Sequence, residues 1–242
     1  MNEEEVKAAP AGMKMADTKP KAGEFKFAIA ISPLDCMGCS SCANICPAPG
    51  KALTMVAMES QLEEQKSFDY AVANVSKKEG SNKYTVKGSQ FEQPLLEFSG
   101  ACAGCAETSY AKLITQMFGE RMYVSNATGC SSIWGGTAAT SPYTVNRESG
   151  HGVTWANSLF EDNAEHGLGM HIGQKVLREG LIAKVKELAA TAEGKLKETC
   201  DAYLATLDDG DENALATKAL VASLEAAPAS DLVKEILGKK EF

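Results

Sequence analysis

The alternation of apolar and polar residues over 25–33 (EFKFAIAIS) predicts a strand that runs into Pro33. A second apolar run, KALTMVAM over 51–58, is expected to pair back on it. Residues 59–94 are polar apart from a short alternation near Tyr84–Val86 and read as a structured insertion or connector. At Pro94 the texture changes. Tyr110, Leu113, Ile114 and Met117 recur at helical spacing within 106–118, and Gly119 can end that helix. Met122–Ser125 reads as a short strand followed by the turn Ala127-Thr128-Gly129-Cys130. Residues 131–153 are rich in Gly, Ser and Thr and read as a loop that touches something. From Trp155 to about Ala192 the spacing is helical, loosened by Gly167, Gly169 and Gly173, and three further helices are expected over 195–207, 211–226 and 230–237.

The order helix, strand, loop after residue 95 belongs to an α/β domain, and strand, cysteine loop, strand before it suits a small α+β ferredoxin-like unit. Residues 1–24 lack periodicity and read as a linker or wrapping arm. The expected division is 1–24 arm, 25–60 ferredoxin-like segment, 61–94 connector and 95–242 α/β domain.

Charge and composition remove several functions. The net charge of −8 over 242 residues argues against nucleic-acid binding through bulk charge. No apolar run is long enough to span a membrane, and the N-terminus, MNEEEVKAAPAG, has no apolar core for a secretory signal. The expected location is therefore the cytoplasm, where thiols stay reduced, so eight cysteines call for a metal before a disulfide.

Seven of those cysteines fall into two groups. Cys36, Cys39, Cys42 and Cys46 form C-x2-C-x2-C-x3-C with Pro47 directly after, the bacterial ferredoxin run. Zinc sites pair two C-x2-C knuckles across a longer stretch, which one dense run ending in Cys-Pro does not match. The first three thiolates are expected to converge on one [4Fe–4S] cluster, and Cys46 to serve a second. The fourth ligand of the first cluster needs a sister run, which this sequence lacks, so the chain reads as cut from a longer protein. The second group is Cys102 and Cys105, with Cys130 following 25 residues later. On spacing alone a cluster, zinc and a redox dithiol all stay open for it. Cys130 lies just past a strand, where α/β sheets place ligands. Glu107, by its position alone, is a solvated first-turn carboxylate.

His151, His166 and His171 read as structural or surface residues, and Cys200 as a small apolar residue of a helix. Met55, Met58, Met117 and Met122 read as core. The acidic stretch Asp208-Asp209-Gly210-Asp211 reads as an exposed turn between helices.

Four stretches together resemble the pyruvate:ferredoxin (flavodoxin) oxidoreductases: SPLDCMGCSSCANICP (32–47), LEFSGACAGCAETSYAKLITQMFGERM (96–122), SNATGCSSIWGG (125–136) and NSLFEDNAEHGLGM (157–170). The resemblance is close over about residues 5 to 180. It implies an enzyme that oxidises pyruvate with CoA to acetyl-CoA and CO2, using thiamine diphosphate and [4Fe–4S] clusters, with ferredoxin or flavodoxin as acceptor and a homodimer at full length. Residues 32–58 resemble the second half of the two-cluster ferredoxin domain, and residues from about 95 the start of the thiamine-diphosphate domain. The resemblance makes Cys102, Cys105 and Cys130 three ligands of the cluster nearest the thiamine. It also gives Glu107 and Cys130 a contact with the cofactor. Ala106 departs from the family pattern in a small way. The family's fourth ligand to that cluster and its Gly-Asp-Gly segment, which anchors the diphosphate through Mg2+, fall beyond Phe242. The isolated chain is accordingly expected not to turn over pyruvate. A stand-alone iron–sulfur electron carrier and a zinc-stabilised interaction module are the competing readings.

Overall fold

The computed structural model describes residues 1–18, 25–78, 82–137 and 139–240. Residues 19–24 of the expected arm lie outside the described residues. The chain forms two compact units, Met1–Phe160 and Glu161–Phe242.

In the first unit, helix α1 (Glu3–Ala8) opens with a capping box in which Asn2 Oδ1 accepts the Glu5 N–H at 2.8 Å and Glu5 accepts the Asn2 N–H at 2.7 Å. The arm then folds back. Strand β1 (Ala16–Asp17) pairs antiparallel with β2 (Lys26–Phe27), and the Met1 ammonium donates to the Lys26 carbonyl at 2.8 Å. Only Lys26–Phe27 of the run expected over 25–33 is strand, and 51–58 forms none. A strand needs a neighbour for its backbone N–H and C=O groups. The arm supplies one for two residues, while Ile29, Ile31, Met55, Val56 and Met58 stay exposed. Met55 and Met58 are thus not core, contrary to the sequence reading.

Helix α2 (Ser41–Ile45) carries Cys42 between the cysteine loop and Cys46. The connector contains helices α3 (Glu64–Asn74) and α4 (Val86–Ser89). On α3 the Tyr70 hydroxyl donates to the Glu5 carbonyl at 2.6 Å, and Lys78 beyond it pairs with the Glu5 carboxylate at 2.6 Å, so the arm is clamped to the connector. Helix α5 (Ala106–Phe118) lies where the periodicity puts it, but with another face inward. Thr115 and Gln116 are buried, while Tyr110, Leu113 and Ile114 are exposed. Polar bonds decide the orientation: Thr115 Oγ1 accepts the Leu95 N–H at 3.3 Å, and Gln116 Nε2 donates to the Glu92 carbonyl at 3.1 Å. Leu95, almost fully buried, packs on Gly119 at the end of that helix, where an added Cβ would lie 2.7 Å from Leu95 Cδ1.

Strand β3 (Tyr123–Ala127) leads into the short helix α6 (Cys130–Gly135). Strand β4 (Thr154–Ser158) runs parallel to β3 in the register Tyr123↔Thr154 to Ala127↔Ser158. The helix expected from Trp155 therefore begins only at Asn163. Pairing with a strand 31 residues earlier outweighs local spacing, as tertiary context does for β-propensity.

The second unit is helical: α7 (Asn163–Thr191), α8 (Gly194–Ala205), α9 (Gly210–Ala226) and α10 (Asp231–Leu237). Its core joins Leu181, Val185 and Leu188 of α7 with Cys200 and Tyr203, Leu220 and Leu224, and Val233 and Ile236. Asp209 of the acidic stretch caps α9, accepting the N–H groups of Asp211 and Glu212 at 3.0 Å. Among the described residues no helix is long and apolar enough to cross a membrane.

Candidate metal centre

The first cysteine loop is a tight backbone path. The Cys36 N–H reaches the Pro33 carbonyl at 3.4 Å, and Gly38 and Ser40 are left-handed, with φ of 69° and 63°. Gly38 takes that conformation without penalty, which is why a glycine precedes Cys39. Cys36, Cys39 and Cys42 are exposed and Cys46 is half-buried. After Cys46 the chain doubles back through Gly50 and Lys51, both at positive φ, and brings the Ala52 N–H to 3.3 Å from Cys46 Sγ. Lys51 Nζ donates to the carbonyls of Asn44 and Cys46 at 2.6 and 3.0 Å, which fixes that turn. The Ala52 and Ala48 N–H groups hold the Cys46 thiol below its ordinary pKa. The Ser41 hydroxyl, 3.4 Å from Cys39 Sγ, does the same for Cys39, helped by the Ser41 backbone. Both are biased toward thiolate, the form that ligates metal.

The second knuckle repeats the pattern. In Cys102-Ala103-Gly104-Cys105 the glycine before the second cysteine is left-handed, with φ of 74°, and the Cys105 N–H bonds the Cys102 carbonyl at 3.0 Å. Cys105 then caps the start of α5, placing Glu107 in its first turn. Cys130 opens α6 at the end of β3 and is exposed. Burial raises the Tyr143 pKa and the Glu107 carboxylate adds to the rise, so Glu107 acts on a ring that lies 6.4 Å from Trp134 of α6.

The two cysteine loops meet. Asp35 and Met37 of the first and Cys102, Gly104 and Cys105 of the second line one cavity of about 270 Å³. A Cβ on Gly104 would sit 3.7 Å from Ser41 Oγ. Among the described residues, however, no three His, Cys, Asp or Glu side chains are gathered to hold a metal ion. Neither Cys36, Cys39 and Cys42 nor Cys102, Cys105 and Cys130 is drawn onto one centre. The donor chemistry does fit an iron–sulfur group: all seven are free thiols, none fully buried, in loops or short helices rich in small residues, and at Cys46 an N–H group already approaches the sulfur. Cys200 is free but completely buried in the helical unit, with its thiol pKa raised by burial and by Asp201.

The sequence reading missed a polar network beside Cys130. Asn126 and Asn157 face each other in the β3–β4 register, and Asn126 Nδ2 donates to Asn157 Oδ1 at 2.8 Å and to Ser132 Oγ at 3.0 Å. Asn157 is 31 residues from Asn126 in sequence, and only the strand pairing brings the two together.

No family model matches the chain. It is 51% identical over 216 residues to the pyruvate-flavodoxin oxidoreductase of Enterobacter agglomerans, a match covering 87% of this chain and 18% of the relative. The Klebsiella pneumoniae pyruvate-flavodoxin oxidoreductase is 52% identical over 214 residues, with the same shares. The pyruvate:ferredoxin oxidoreductase of Moorella thermoacetica (strain ATCC 39073 / JCM 9320) is 51% identical over 222 residues, 90% of this chain and 19% of the relative. The chain spans about a fifth of the length of these curated relatives. Identity of this order across nearly the whole chain makes it a homologue of one segment of the pyruvate:ferredoxin (flavodoxin) oxidoreductases, a family of oxidoreductases.

Proposed function

We propose that the chain serves as the electron-carrying part of a 2-oxoacid oxidoreductase that decarboxylates pyruvate with CoA to acetyl-CoA and CO2 and passes electrons to ferredoxin or flavodoxin. The observation that carries the reading is the shared cavity, where Asp35 and Met37 of the first cysteine loop and the Cys102–Cys105 knuckle line one space within one compact unit. In this reading Cys36, Cys39 and Cys42 hold one [4Fe–4S] cluster and Cys46 contributes to its neighbour. Cys102, Cys105 and Cys130 hold the cluster beside the thiamine, and Glu107 and Cys130 contact that cofactor. When bound, thiamine diphosphate supplies the carbon chemistry and the clusters one-electron transfer. The chain's own residues position thiolates, set their basicity through N–H and hydroxyl contacts, and keep the two loops close enough for electrons to pass between them. Residues 25–60 then form half of a ferredoxin-like domain, and 95–242 the N-terminal part of a thiamine-diphosphate domain whose Mg2+ anchor is supplied elsewhere. A cytoplasmic location suits so many exposed reduced thiols.

The test is Cys102→Ala in the oxidoreductase that carries this segment. CoA-dependent reduction of a viologen dye from pyruvate should fall at least about tenfold, the scale of losing a metal-site contact, together with the bound iron. Unchanged turnover with unchanged iron would refute the assignment.

A further inference from the structure

The polar network at the ends of β3 and β4 closes around Cys130. Ser132 Oγ accepts the Gly129 N–H at 3.1 Å and donates to Asn157 Oδ1 at 2.8 Å, while the Ser132 N–H bonds the Gly129 carbonyl at 3.0 Å. The residues on both sides of Cys130 are therefore tied to each other. The hydroxyl that ties them is held in turn by Asn126 Nδ2 from β3 and Asn157 from β4. Asn157 Nδ2 donates to Thr128 Oγ1 at 3.3 Å, and Thr128 Oγ1 donates to the Ser158 carbonyl at 2.9 Å, which secures the turn from its other end. Each bond, partly exposed, contributes little by itself to folding. Their convergence on the two-residue turn between β3 and α6 is more than joining two short strands requires, since the parallel ladder already spans Tyr123–Ala127.

We infer that Asn126, Ser132 and Asn157 are positioning residues that hold the turn carrying Cys130, so that its thiolate is presented as the third ligand when a metal centre assembles on Cys102 and Cys105. The inference rests on the reading of Cys130 as a ligand. The carboxamides suit the task because each donates and accepts at once, so one pair both locks the serine hydroxyl and bridges the strands. A ligand tens of residues from its partners in sequence depends on such second contacts, whereas the Cys102–Cys105 knuckle is set by its own turn.

The experiment isolates the second group. In the full chain with Cys36, Cys39, Cys42, Cys46 and Cys200 replaced by Ser, anaerobic titration with cobalt(II) alone reads the number of thiolates from the thiolate-to-cobalt charge-transfer intensity per bound ion. Cys130→Ser should lower that intensity by one thiolate's share of three. Asn126→Ala and Ser132→Ala should lower it to the same level, and Ser132→Thr, which keeps the hydroxyl, should restore it. A purely structural role would instead shift the thermal midpoint and leave the intensity per ion unchanged. If Cys130→Ser lowers the intensity while Asn126→Ala and Ser132→Ala keep the parent value, the positioning role is overturned and the ligand reading survives. If Cys130→Ser itself changes nothing, both fall. Should Ser132→Ala fail to fold, Asn126→Ala and Ser132→Thr decide by the same criteria.

Discussion

Each cysteine of this chain sits in an environment that separates its chemistry from the others. Seven lie in loops or short helices and are at least partly open to solvent, Cys46 with the Ala52 N–H aimed at its sulfur, whereas Cys200 is completely enclosed between helices. Native apo-chain treated with iodoacetamide should therefore be alkylated at the seven motif cysteines, with Cys200 labelled only after denaturation, as peptide mapping would show. Labelling of Cys200 at the rate of Cys36 under native conditions would contradict the packing. Gly119 makes a second single-residue case. A methyl there meets Leu95 Cδ1 at 2.7 Å and its Cγ and Cβ at 3.2 and 3.3 Å, and Leu95 is almost fully buried. Overpacking of about 1–3 kcal/mol outweighs the roughly 0.4–1 kcal/mol that alanine gains by stiffening the unfolded chain. Gly119→Ala should lower the denaturant midpoint, and an unchanged or raised midpoint would show the site to be roomier. The cysteine spacings were legible in the sequence, because a turn's needs are local. The Asn126–Ser132–Asn157 network was not, because Asn157 meets the other two only through strand pairing.

At the scale of elements, helices α5 and α8 to α10 lie within a few residues of the sequence reading, although α5 turns another face inward. Elements defined by a distant partner do not. Strand β4 looks helical until β3 is placed beside it, and 51–58 looks like a strand although nothing among the described residues pairs with it. Helix α3 was hidden by its polar composition, and a contact to Glu5, 65 residues away, holds it against the arm. That clamp is sensitive to acid. Burial alone would raise the Glu5 pKa, but the Lys78 hydrogen bond, with the Asn2 and Ser76 N–H groups, lowers it from 4.5 to about 2. A depressed carboxyl stabilises the folded arm above its ordinary pKa and loses that contribution as pH falls from about 4.5 toward 2. Glu5→Gln should therefore make the arm easier to cleave by protease near neutral pH. Pepsin, which works in acid, should show the difference from the parent shrinking through that window. A difference that persisted undiminished at the acid end would rule out the carboxylate as its source.

For the molecule as a whole, one compact unit carries both cysteine motifs and their shared cavity, and a helical unit follows it with a core of its own. The ferredoxin-type run and the later C-x2-C with Cys130 were readable as separate signals. That their loops share one cavity needed the fold, since 56 residues separate Cys46 from Cys102. The central claim is that the two motifs serve separate iron–sulfur centres. The most direct measurement is anaerobic reconstitution of the whole chain with iron and sulfide, followed by iron analysis and EPR after reduction. Three chains are compared: the parent, one with Cys36, Cys39 and Cys42 replaced by Ser, and one with Cys102 and Cys105 replaced by Ser. The account predicts two separable signals in the parent, each lost together with its iron in one variant and retained in the other. A chain that takes up zinc in preference to iron, or two variants that both keep the parent's iron and spectrum, would contradict it.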